Sequence, residues 1–213
     1  GRAAAPVPFS SSVYLGTEAI VKYGTDSQKE KWLPKLAVGE LISTFAFPET
    51  NSEPTEKNIK TTFSNGKING RKIPVADGSY ADIAIVVVKN TDNDHIALAI
   101  ADLTSKNVKR NQISTLDPSR DHAEVIFENS DAELMNTGDE GWGAIENILN
   151  YAAVLMAFEQ IGGAEASLNM AKEYALDRYA FGRQIGSYQA IKHKLADMYV
   201  KIELARSNSY YGA

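Results

Sequence analysis

The stretch ADIAIVVVKNTDNDHIALAIADL, residues 81–103, decides the fold. It contains two strand-sized apolar runs that are rich in β-branched residues, which favour β-strands. Between them stands NTDNDH, whose Asn and Asp residues favour a turn. Both runs are far shorter than the roughly 20 residues that span a bilayer. We therefore expect two β-strands joined by a loop.

The same period-two pattern continues on both sides of this stretch, from residue 40 to about residue 130. Three further runs, LISTFAF, NIKTTF and AEVIFEN, are rich in strand-forming residues and are bounded by turn residues. Asn69-Gly70, inside KINGRK, is a strong signal for a two-residue hairpin turn. LDPSR is predicted as a loop, since Asp and Pro favour turns locally. The middle of the chain is therefore predicted to form a β-sheet.

Helical patterns precede the sheet, up to about Gly39. In SSVYLGTEAIVKYG and TDSQKEKWLPKLAVG the spacing of the apolar residues predicts two helices. Thr25 or Ser27 can cap the second helix, because a side-chain oxygen there accepts a hydrogen bond from a free backbone N–H. Gly24 and Gly39 are expected to end the two helices.

From Gly141 to the end of the sequence, abundant Ala and apolar residues at helical spacing predict two long helices. The second helix carries one apolar stripe: Ile191, Leu195, Met198 and Ile202. Strands that cluster between helical regions, instead of alternating with them, indicate an α+β fold. The sequence shows no repeat, low-complexity segment or linker that would indicate a different organisation.

The composition excludes several classes of function. The 213 residues carry a formal net charge of −5, which disfavours nucleic-acid partners and anionic membrane surfaces. Cysteine is absent, so thiolate metal sites and cysteine nucleophiles are excluded. The histidines His95, His122 and His193 lie far apart in sequence, and we expect no metal site. GRAAAPVPFSSS contains neither a signal-peptide core nor an initiating Met, so we expect the chain to begin after processing or inside a longer gene product.

Common catalytic motifs are also missing from the sequence. It contains no G-x-G-x-x-G after a strand, no P-loop and no G-x-S-x-G elbow, so nucleotide cradling and serine hydrolysis by those devices have no support. The acidic residues of SDAELMNTGDEGWG are better explained as a solvated turn before a helix, where negative charge is favourable, than as a pair of catalytic acids.

Four segments, taken in order, resemble the flavin-dependent acyl-CoA dehydrogenases: KYGTDSQKEKWLPKLAVGE, INGRK, GDEGWGAIENIL and AKEYALDRYAFGRQIGSYQAIKHKLADMYVKIELAR. The resemblance covers essentially the whole chain. It implies the remnant of an N-terminal helical domain, a middle antiparallel barrel-like β domain and the first helices of a four-helix bundle, here residues 1–39, 40–135 and 136–213. It also implies FAD as the cofactor and oxidation of the Cα–Cβ bond of an acyl-CoA thioester. The chain is expected to lack both outer ends of the family's common length.

Most positions that hold the flavin in this family are altered in this sequence. PETNSEPT replaces the family's TEPxxGSD, which places Pro48 and Pro54 where a threonine and a serine are usual. PVADG replaces WITNG, so Pro74 and Ala76 stand for the tryptophan and the threonine, and only Gly78 matches. Each lost polar contact costs about 1–3 kcal/mol, so the resemblance implies a degenerate cleft in this chain.

The catalytic base is also missing from the positions where the family carries it. One position lies on a helix beyond residue 213, and the other corresponds to Ala152, which cannot accept a proton. The family's substrate-binding D-x-x-R corresponds to Asn150 and the residues up to Ala153, without the arginine. We therefore expect no catalytic residue in this chain. Three aromatic residues near the cleft are expected to belong to the hydrophobic core: Phe45, Phe47 and Trp142.

The R-x-x-F-G motif of the family is present near the start of the last helix. The resemblance implies that Arg178 and Phe181 reach the FAD diphosphate and adenine of a neighbouring subunit, together with Gln189 and the adjacent Tyr188. Ala180 replaces the small polar residue that often lies between the arginine and the phenylalanine. Structural roles are the alternatives: a helix-end charge for Arg178, a staple for Phe181, an interface filler for Tyr188 and a helix cap for Gln189.

Three hypotheses follow from the resemblance. In the first, the chain is a non-catalytic subunit of a heteromeric acyl-CoA dehydrogenase and contacts FAD bound mainly by a homologous subunit, whose site takes the acyl-CoA. In the second, it is a fragment of an active homo-oligomeric enzyme. In the third, it is a cofactor-free structural homologue. Members of this family usually pass electrons to an electron-transfer flavoprotein, and some use oxygen instead, so both acceptors remain open. The expected location is a bacterial cytoplasm, or a mitochondrial matrix or peroxisome in a eukaryote.

Overall fold

The computed structural model describes residues 1–50, 52–138 and 140–213. The described chain divides into two compact units. One unit consists of residues 6–152, and the other consists of residues 153–213 together with residues 1–5. The division of the sequence into three domains stays a prediction.

The larger unit begins with helices, as the sequence predicts. A π-helix, Phe9–Thr17, leads into α1, Glu18–Tyr23, and α2 follows as Asp26–Ala37. Thr25 caps α2 through a capping box: its Oγ1 accepts a hydrogen bond from the Gln28 N–H at 3.3 Å, and Gln28 Oε1 accepts one from the Thr25 N–H at 3.0 Å. Two free backbone donors at the helix start are thereby satisfied.

The sheet follows, and five of its strands close into a barrel-like ring. Its strands are β1 Ser43–Ala46, β2 Thr62–Ser64, β3 Lys67–Ala76, β4 Ile83–Asn90, β5 Ile96–Asp102, β6 Val108–Gln112 and β7 His122–Leu134. The ring runs β4-β2-β3-β7-β5 and returns to β4. Most neighbours are antiparallel, whereas β1 and β2 both pair with β4 in parallel. The α+β fold with a barrel-like middle sheet is therefore confirmed.

The predicted hairpin turn at Asn69-Gly70 is wrong. The turn lies four residues earlier, at Asn65-Gly66, where φ is +48° and +72° and where Ser64 pairs with Lys67. Gly70 instead lies inside β3, next to a register shift in its pairing with β7. Its φ is +148°, and an added Cβ would lie 2.6 Å from Thr61 Oγ1. Glycine is therefore needed there for a close backbone approach, not for a turn.

Both faces of β4 are buried, which explains its continuous apolar sequence. One face of β4 points into the ring and packs with residues of β3, β5 and β7. This face consists of Ala84, Val86 and Val88. The other face consists of Ile83, Ile85 and Val87, and it packs against α1 and the start of α3, Gly141–Asp177. The sheet therefore has two hydrophobic clusters, one inside the ring and one under the helices.

The smaller unit consists mainly of the later part of α3 and of α4, Gln189–Gly212. Its hydrophobic cluster is small and consists of Ile161, Leu168 and Ile202, with Leu195 partly buried beside them. The rings of Phe158 and Tyr210 also meet edge to face at 5.1 Å. The predicted stripe of α4 is thus buried at Ile202, half-buried at Ile191 and Leu195, and exposed at Met198. Many large apolar side chains of the unit are exposed, among them Met170, Tyr174, Val200, Leu204 and Tyr211.

Candidate functional site

A short β-hairpin connects α3 to α4, and we call residues 178–188 the arginine hairpin. Its strands, β8 Tyr179–Ala180 and β9 Arg183–Gln184, pair across a two-residue turn. The turn residues have positive φ, +53° at Phe181 and +78° at Gly182, as a type I′ turn requires. Gly182 adopts this conformation at no steric cost, whereas for Phe181 it costs about 1–3 kcal/mol.

Phe181 lies at the tip of the hairpin with 98% of its surface exposed. A phenylalanine ring contributes to folding when it is buried, and here it is not. Within the described residues, neither burial nor a hydrogen bond offsets the strained backbone of Phe181. Residues held in strained conformations without a local structural benefit cluster at binding sites.

Arg178 follows the last residue of α3 and holds the hairpin through its backbone. Its N–H donates to the Tyr174 carbonyl at 2.9 Å, and its carbonyl accepts a hydrogen bond from the Ile185 N–H at 2.8 Å. Its side chain is exposed, and no described residue forms an ion pair with its guanidinium. The guanidinium is therefore available to an anion, for which it offers a rigid pair of donors.

Tyr188 differs from the other predicted contact residues because its polar atom is already engaged. Its hydroxyl donates to the Ala180 carbonyl at 2.9 Å. The Arg183 guanidinium lies 4.0 Å from the centre of the Tyr188 ring, in cation–π geometry. Gln189, the first residue of α4, is exposed. Of the four predicted contact residues, Tyr188 alone has a structural partner for its polar group within the described chain.

The sequence predictions missed Arg183. The signal was present, because Arg183 follows the Phe-Gly turn directly and the aromatic Tyr188 stands shortly downstream. A two-residue turn reverses the chain, so residues just after it lie beside residues just before it. Recognising Phe181-Gly182 as a two-residue turn would have placed Arg183 beside Ala180, whose carbonyl accepts a hydrogen bond from the Tyr188 hydroxyl.

The second candidate site is the predicted flavin cleft of the chain's own sheet. The Pro48 carbonyl accepts a hydrogen bond from the Ile73 N–H at 2.8 Å. The Ala76 carbonyl accepts one from Thr44 Oγ1 at 2.5 Å. Pro48 and Pro74 have no N–H, and Ala76 has no polar side chain. This donor set does not fit a flavin.

The remaining predicted positions of that cleft offer no further side-chain chemistry. Gly78 is buried, and its N–H donates to the Val75 carbonyl at 3.3 Å. Ala152, at a predicted base position, is half-buried and carries no carboxylate. The other altered positions are half-buried or exposed: Pro54, Asn150 and Ala153. That this chain supplies no catalytic residue stays a prediction.

Three aromatic residues near the cleft belong to the core, as expected. Phe45 is buried in the cluster under the helices, and Phe47 and Trp142 pack against that cluster. The ring centres of Phe45 and Phe47 lie 6.3 Å apart, and those of Phe47 and Trp142 lie 5.8 Å apart. Both pairs meet edge to face, an arrangement that stabilises aromatic pairs.

A buried ion pair lies beside the cleft and was not predicted. Lys72 Nζ is 2.8 Å from Glu49 Oε1 and 3.2 Å from the Phe47 carbonyl oxygen. The Glu49 carboxylate also accepts hydrogen bonds from the N–H groups of Lys60 and Thr61 at 2.8 and 3.0 Å. The Lys72 side chain is 0% exposed and that of Glu49 is 10% exposed. The pair therefore joins the segment after β1 to β3 and to the start of β2.

Burial and the interaction between the two groups shift the pKa values of both Lys72 and Glu49. It lowers the pKa of Lys72 to about 8 from an ordinary value of 10.5, although Glu49 opposes the shift. Burial alone would raise the pKa of Glu49, but the Lys72 ammonium and hydrogen bonds from Lys72 and Thr61 hold it below its ordinary value. Both groups are therefore charged at neutral pH.

The free energy of unfolding should increase by about 1 kcal/mol between pH 8 and pH 9 because of Lys72. In this range the unfolded chain binds more protons at Lys72 than the folded chain does, since the folded pKa is the lower one. Urea unfolding of the wild type and of Lys72→Met at both pH values measures the effect. The variant should lack this increase, and equal pH dependence of the two proteins would contradict the assignment.

The described residues show neither a metal site nor a membrane-spanning helix. Among them, no three His, Asp or Glu side chains are grouped so that they could hold a metal ion. None of the described helices combines the length and the apolar character that a bilayer span requires.

The comparisons with known proteins agree with the fold. The family model "Acyl-CoA dehydrogenase, C-terminal domain" matches residues 139–213, and "Acyl-CoA dehydrogenase, N-terminal domain" matches residues 1–40. An acyl-CoA dehydrogenase of Bacillus subtilis is 34% identical over 224 residues, which cover 99% of this chain and 59% of the relative.

Two solved structures are similar over nearly the whole chain. Butyryl-CoA dehydrogenase from Megasphaera elsdenii has a TM-score of 0.86 at 26% identity, over 95% of this chain and 56% of that one. A glutaryl-CoA dehydrogenase from Mycobacterium smegmatis in complex with FADH2 has a TM-score of 0.79 at 25% identity, over 96% of this chain and 56% of that one. The chain thus spans less than two thirds of the length of these relatives. Because family models match both ends of the sequence and these relatives align with almost all of it, the chain belongs to the acyl-CoA dehydrogenase family.

Proposed function

We propose that this chain is a non-catalytic subunit of a heteromeric acyl-CoA dehydrogenase and that its arginine hairpin contacts FAD bound mainly by a homologous subunit. One observation carries the proposal: the groups of the hairpin that suit FAD are exposed and free, whereas the chain's own cleft presents prolines and an alanine. The altered cleft explains why the cofactor would belong to the partner. The exposed hairpin explains what this chain would contribute.

Arg178 and Phe181 of the hairpin suit two parts of FAD, the diphosphate and the adenine. The Arg178 guanidinium suits a diphosphate, since its planar donors match two phosphate oxygens at once. The Phe181 ring offers an apolar surface for the adenine, and its burial there would offset the cost of its exposure. The Gln189 amide can both donate and accept hydrogen bonds. When bound, FAD supplies a hydride acceptor for α,β-dehydrogenation of an acyl-CoA thioester.

The partners follow from the same proposal. A homologous subunit holds the cofactor and the acyl-CoA, and it supplies the catalytic base. An electron-transfer flavoprotein takes the electrons from the complex. The location would be the cytoplasm of a bacterium, or the mitochondrial matrix or a peroxisome in a eukaryote.

A second candidate function is an active homo-oligomeric acyl-CoA dehydrogenase, of which this chain is a part. The observation that favours it is length, because the chain spans only 59% of the Bacillus subtilis relative and 56% of the Megasphaera elsdenii structure. In that case a carboxylate would lie beyond residue 213 and the cleft would bind flavin by other contacts. A purified full-length chain that is yellow and is bleached by an acyl-CoA, without any paralogue, would establish this function and overturn the first.

The Arg178→Ala variant tests the first proposal. Co-expression with a homologous acyl-CoA dehydrogenase subunit from the same source should yield a complex that contains FAD. We expect the variant complex to bind FAD roughly 10- to 100-fold more weakly, because a hydrogen bond to a charged group contributes about 1.5–3 kcal/mol. Equilibrium dialysis with flavin absorbance measures the affinity.

Two matched variants make this test specific. Arg178→Lys keeps the charge but loses the paired donors, so its affinity should lie between those of the wild type and Arg178→Ala. Arg71→Ala removes another exposed arginine, which is paired with Glu124 in the sheet, and it should leave the FAD affinity unchanged. A complex that assembles normally but binds FAD equally well with Arg178→Ala would indicate a structural homologue and would overturn the proposal.

A further inference from the structure

The arginine hairpin presents Phe181 in a conformation that it would not hold by itself. A two-stranded hairpin is marginally stable in water when nothing packs against it. This hairpin has only two residues in each strand, and one of its turn residues is an aromatic with a φ of +53°. A contact outside the strand pairing must therefore hold the turn.

Tyr188 provides that contact on both sides of the turn. Its hydroxyl bonds to the carbonyl of Ala180, the residue directly before Phe181, at 2.9 Å. Its ring lies under the guanidinium of Arg183, the residue directly after Gly182, at 4.0 Å. The two halves of the turn are thus connected through one side chain. We call this arrangement of Ala180, Arg183 and Tyr188 the tyrosine clamp.

The base of the hairpin connects the clamp to Arg178. The Ile185 N–H donates to the Arg178 carbonyl at 2.8 Å, and the Tyr188 N–H donates to the Ile185 carbonyl at 3.2 Å. Ser187 Oγ donates to the Gln184 carbonyl at 2.6 Å. These bonds form a continuous path from Tyr188 to the backbone that carries Arg178. The position of Tyr188 therefore affects both exposed groups of the hairpin.

We propose that Tyr188 and Arg183 are positioning residues: they hold Phe181 and Arg178 in the geometry that meets the cofactor, and Tyr188 itself does not contact it. The effect on cofactor binding rests on the proposed function, whereas the effect on the hairpin does not. The half-buried position of Tyr188 and its engaged hydroxyl support this role. The ordering is set before binding, which lowers the entropy cost of the contact.

Hydrogen exchange of the purified full chain tests the positioning role without any cofactor. Tyr188→Phe keeps the ring under Arg183 but removes the hydroxyl, so the Ile185 amide should exchange roughly threefold to tenfold faster, as expected for one hydrogen bond. Tyr179→Phe is the matched control, because the Tyr179 hydroxyl of the same hairpin has no partner among the described residues. It should leave the exchange rate unchanged. Equal rates in the wild type and Tyr188→Phe would overturn the proposal.

Arg183→Gln tests the other half of the tyrosine clamp. It removes the cation from the Tyr188 ring and should also speed exchange at the hairpin amides, by roughly twofold to fivefold for an exposed cation–π contact. Unchanged exchange in this variant would remove Arg183 from the proposed clamp. The measurement uses folded protein, so it does not depend on assembly with a paralogue.

FAD affinity of the co-expressed complex separates this inference from the proposed function. We expect Tyr188→Phe to weaken FAD binding roughly threefold to tenfold, less than Arg178→Ala does. If Tyr188→Phe loosens the hairpin but only Arg178→Ala weakens FAD binding, the positioning role toward the cofactor is overturned. If neither variant affects FAD while hydrogen exchange responds, the proposed function is overturned and the hairpin role stands.

Discussion

Replacing Glu49 by glutamine should lower the free energy of unfolding by about 1.5–3 kcal/mol at neutral pH. The substitution keeps the size of the side chain but leaves the Lys72 ammonium, whose side chain is 0% exposed, without its counter-charge. An uncompensated buried charge is strongly destabilising, whereas the ion pair itself adds little relative to an apolar pair. Urea unfolding followed by circular dichroism measures the difference.

A double-mutant cycle shows whether the loss comes from the unpaired Lys72. Glu49→Gln combined with Lys72→Met should recover much of the stability, because no buried charge remains. Asp131→Asn is the matched control, since Asp131 pairs with Lys67 but its side chain is 78% exposed. That control should change the stability by at most about 1 kcal/mol. A loss for Glu49→Gln no larger than for Asp131→Asn would contradict the role assigned to the buried pair.

Adding one methyl group at Gly141 should destabilise the larger unit by about 3 kcal/mol. Gly141 is the first residue of α3, and a Cβ built there would lie 1.7 Å from the Ile96 carbonyl oxygen and 2.5 Å from its carbon. Both atoms belong to the backbone at the start of β5, so they cannot rotate away as a side chain would. Either the helix start or the strand must shift to accommodate Gly141→Ala.

Gly143→Ala is the matched control for this substitution. Gly143 lies in the same helix, and an added Cβ there would have nothing within 4 Å. Alanine is a better helix former than glycine, so Gly143→Ala should raise the stability by up to about 1 kcal/mol. The two substitutions are chemically identical and should have opposite signs. Thermal unfolding of both variants provides the comparison, and a similar effect of both would disprove the close approach at Gly141.

Local sequence patterns predicted an element correctly where neighbouring residues alone determine where it begins. The start of α2 is an example: the sequence offers Thr25 or Ser27 as the cap, and Thr25 forms the capping box with Gln28. Asn69-Gly70 shows the limit. An Asn-Gly pair is equally suited to a turn at Asn65-Gly66, and only the close approach of Gly70 to Thr61 distinguishes the two sites. That approach depends on pairing across the sheet, which local sequence does not contain.

The residues of the candidate site also fall into two groups, those that the local sequence identifies and those that only the folded structure brings together. Arg178, Phe181 and Gln189 were identified because they stand in a linear motif that resembles a known family. The tyrosine clamp and the pair of Glu49 with Lys72 depend on residues that come together through a turn or through the sheet. Lys72 directly follows Arg71 in the sequence, and its burial becomes visible only once both residues lie in β3.

The closed ring of strands has a consequence for how such a subunit can arise. Its two apolar clusters fill the inside of the ring and the space under the helices with the chain's own side chains. Substitutions in the flavin cleft therefore remove cofactor contacts without removing the core, and the sheet can fold from its own contacts. A chain of this fold can therefore lose cofactor contacts without losing its folded structure. The proposed non-catalytic subunit can therefore lack flavin contacts of its own and still fold around its own apolar clusters.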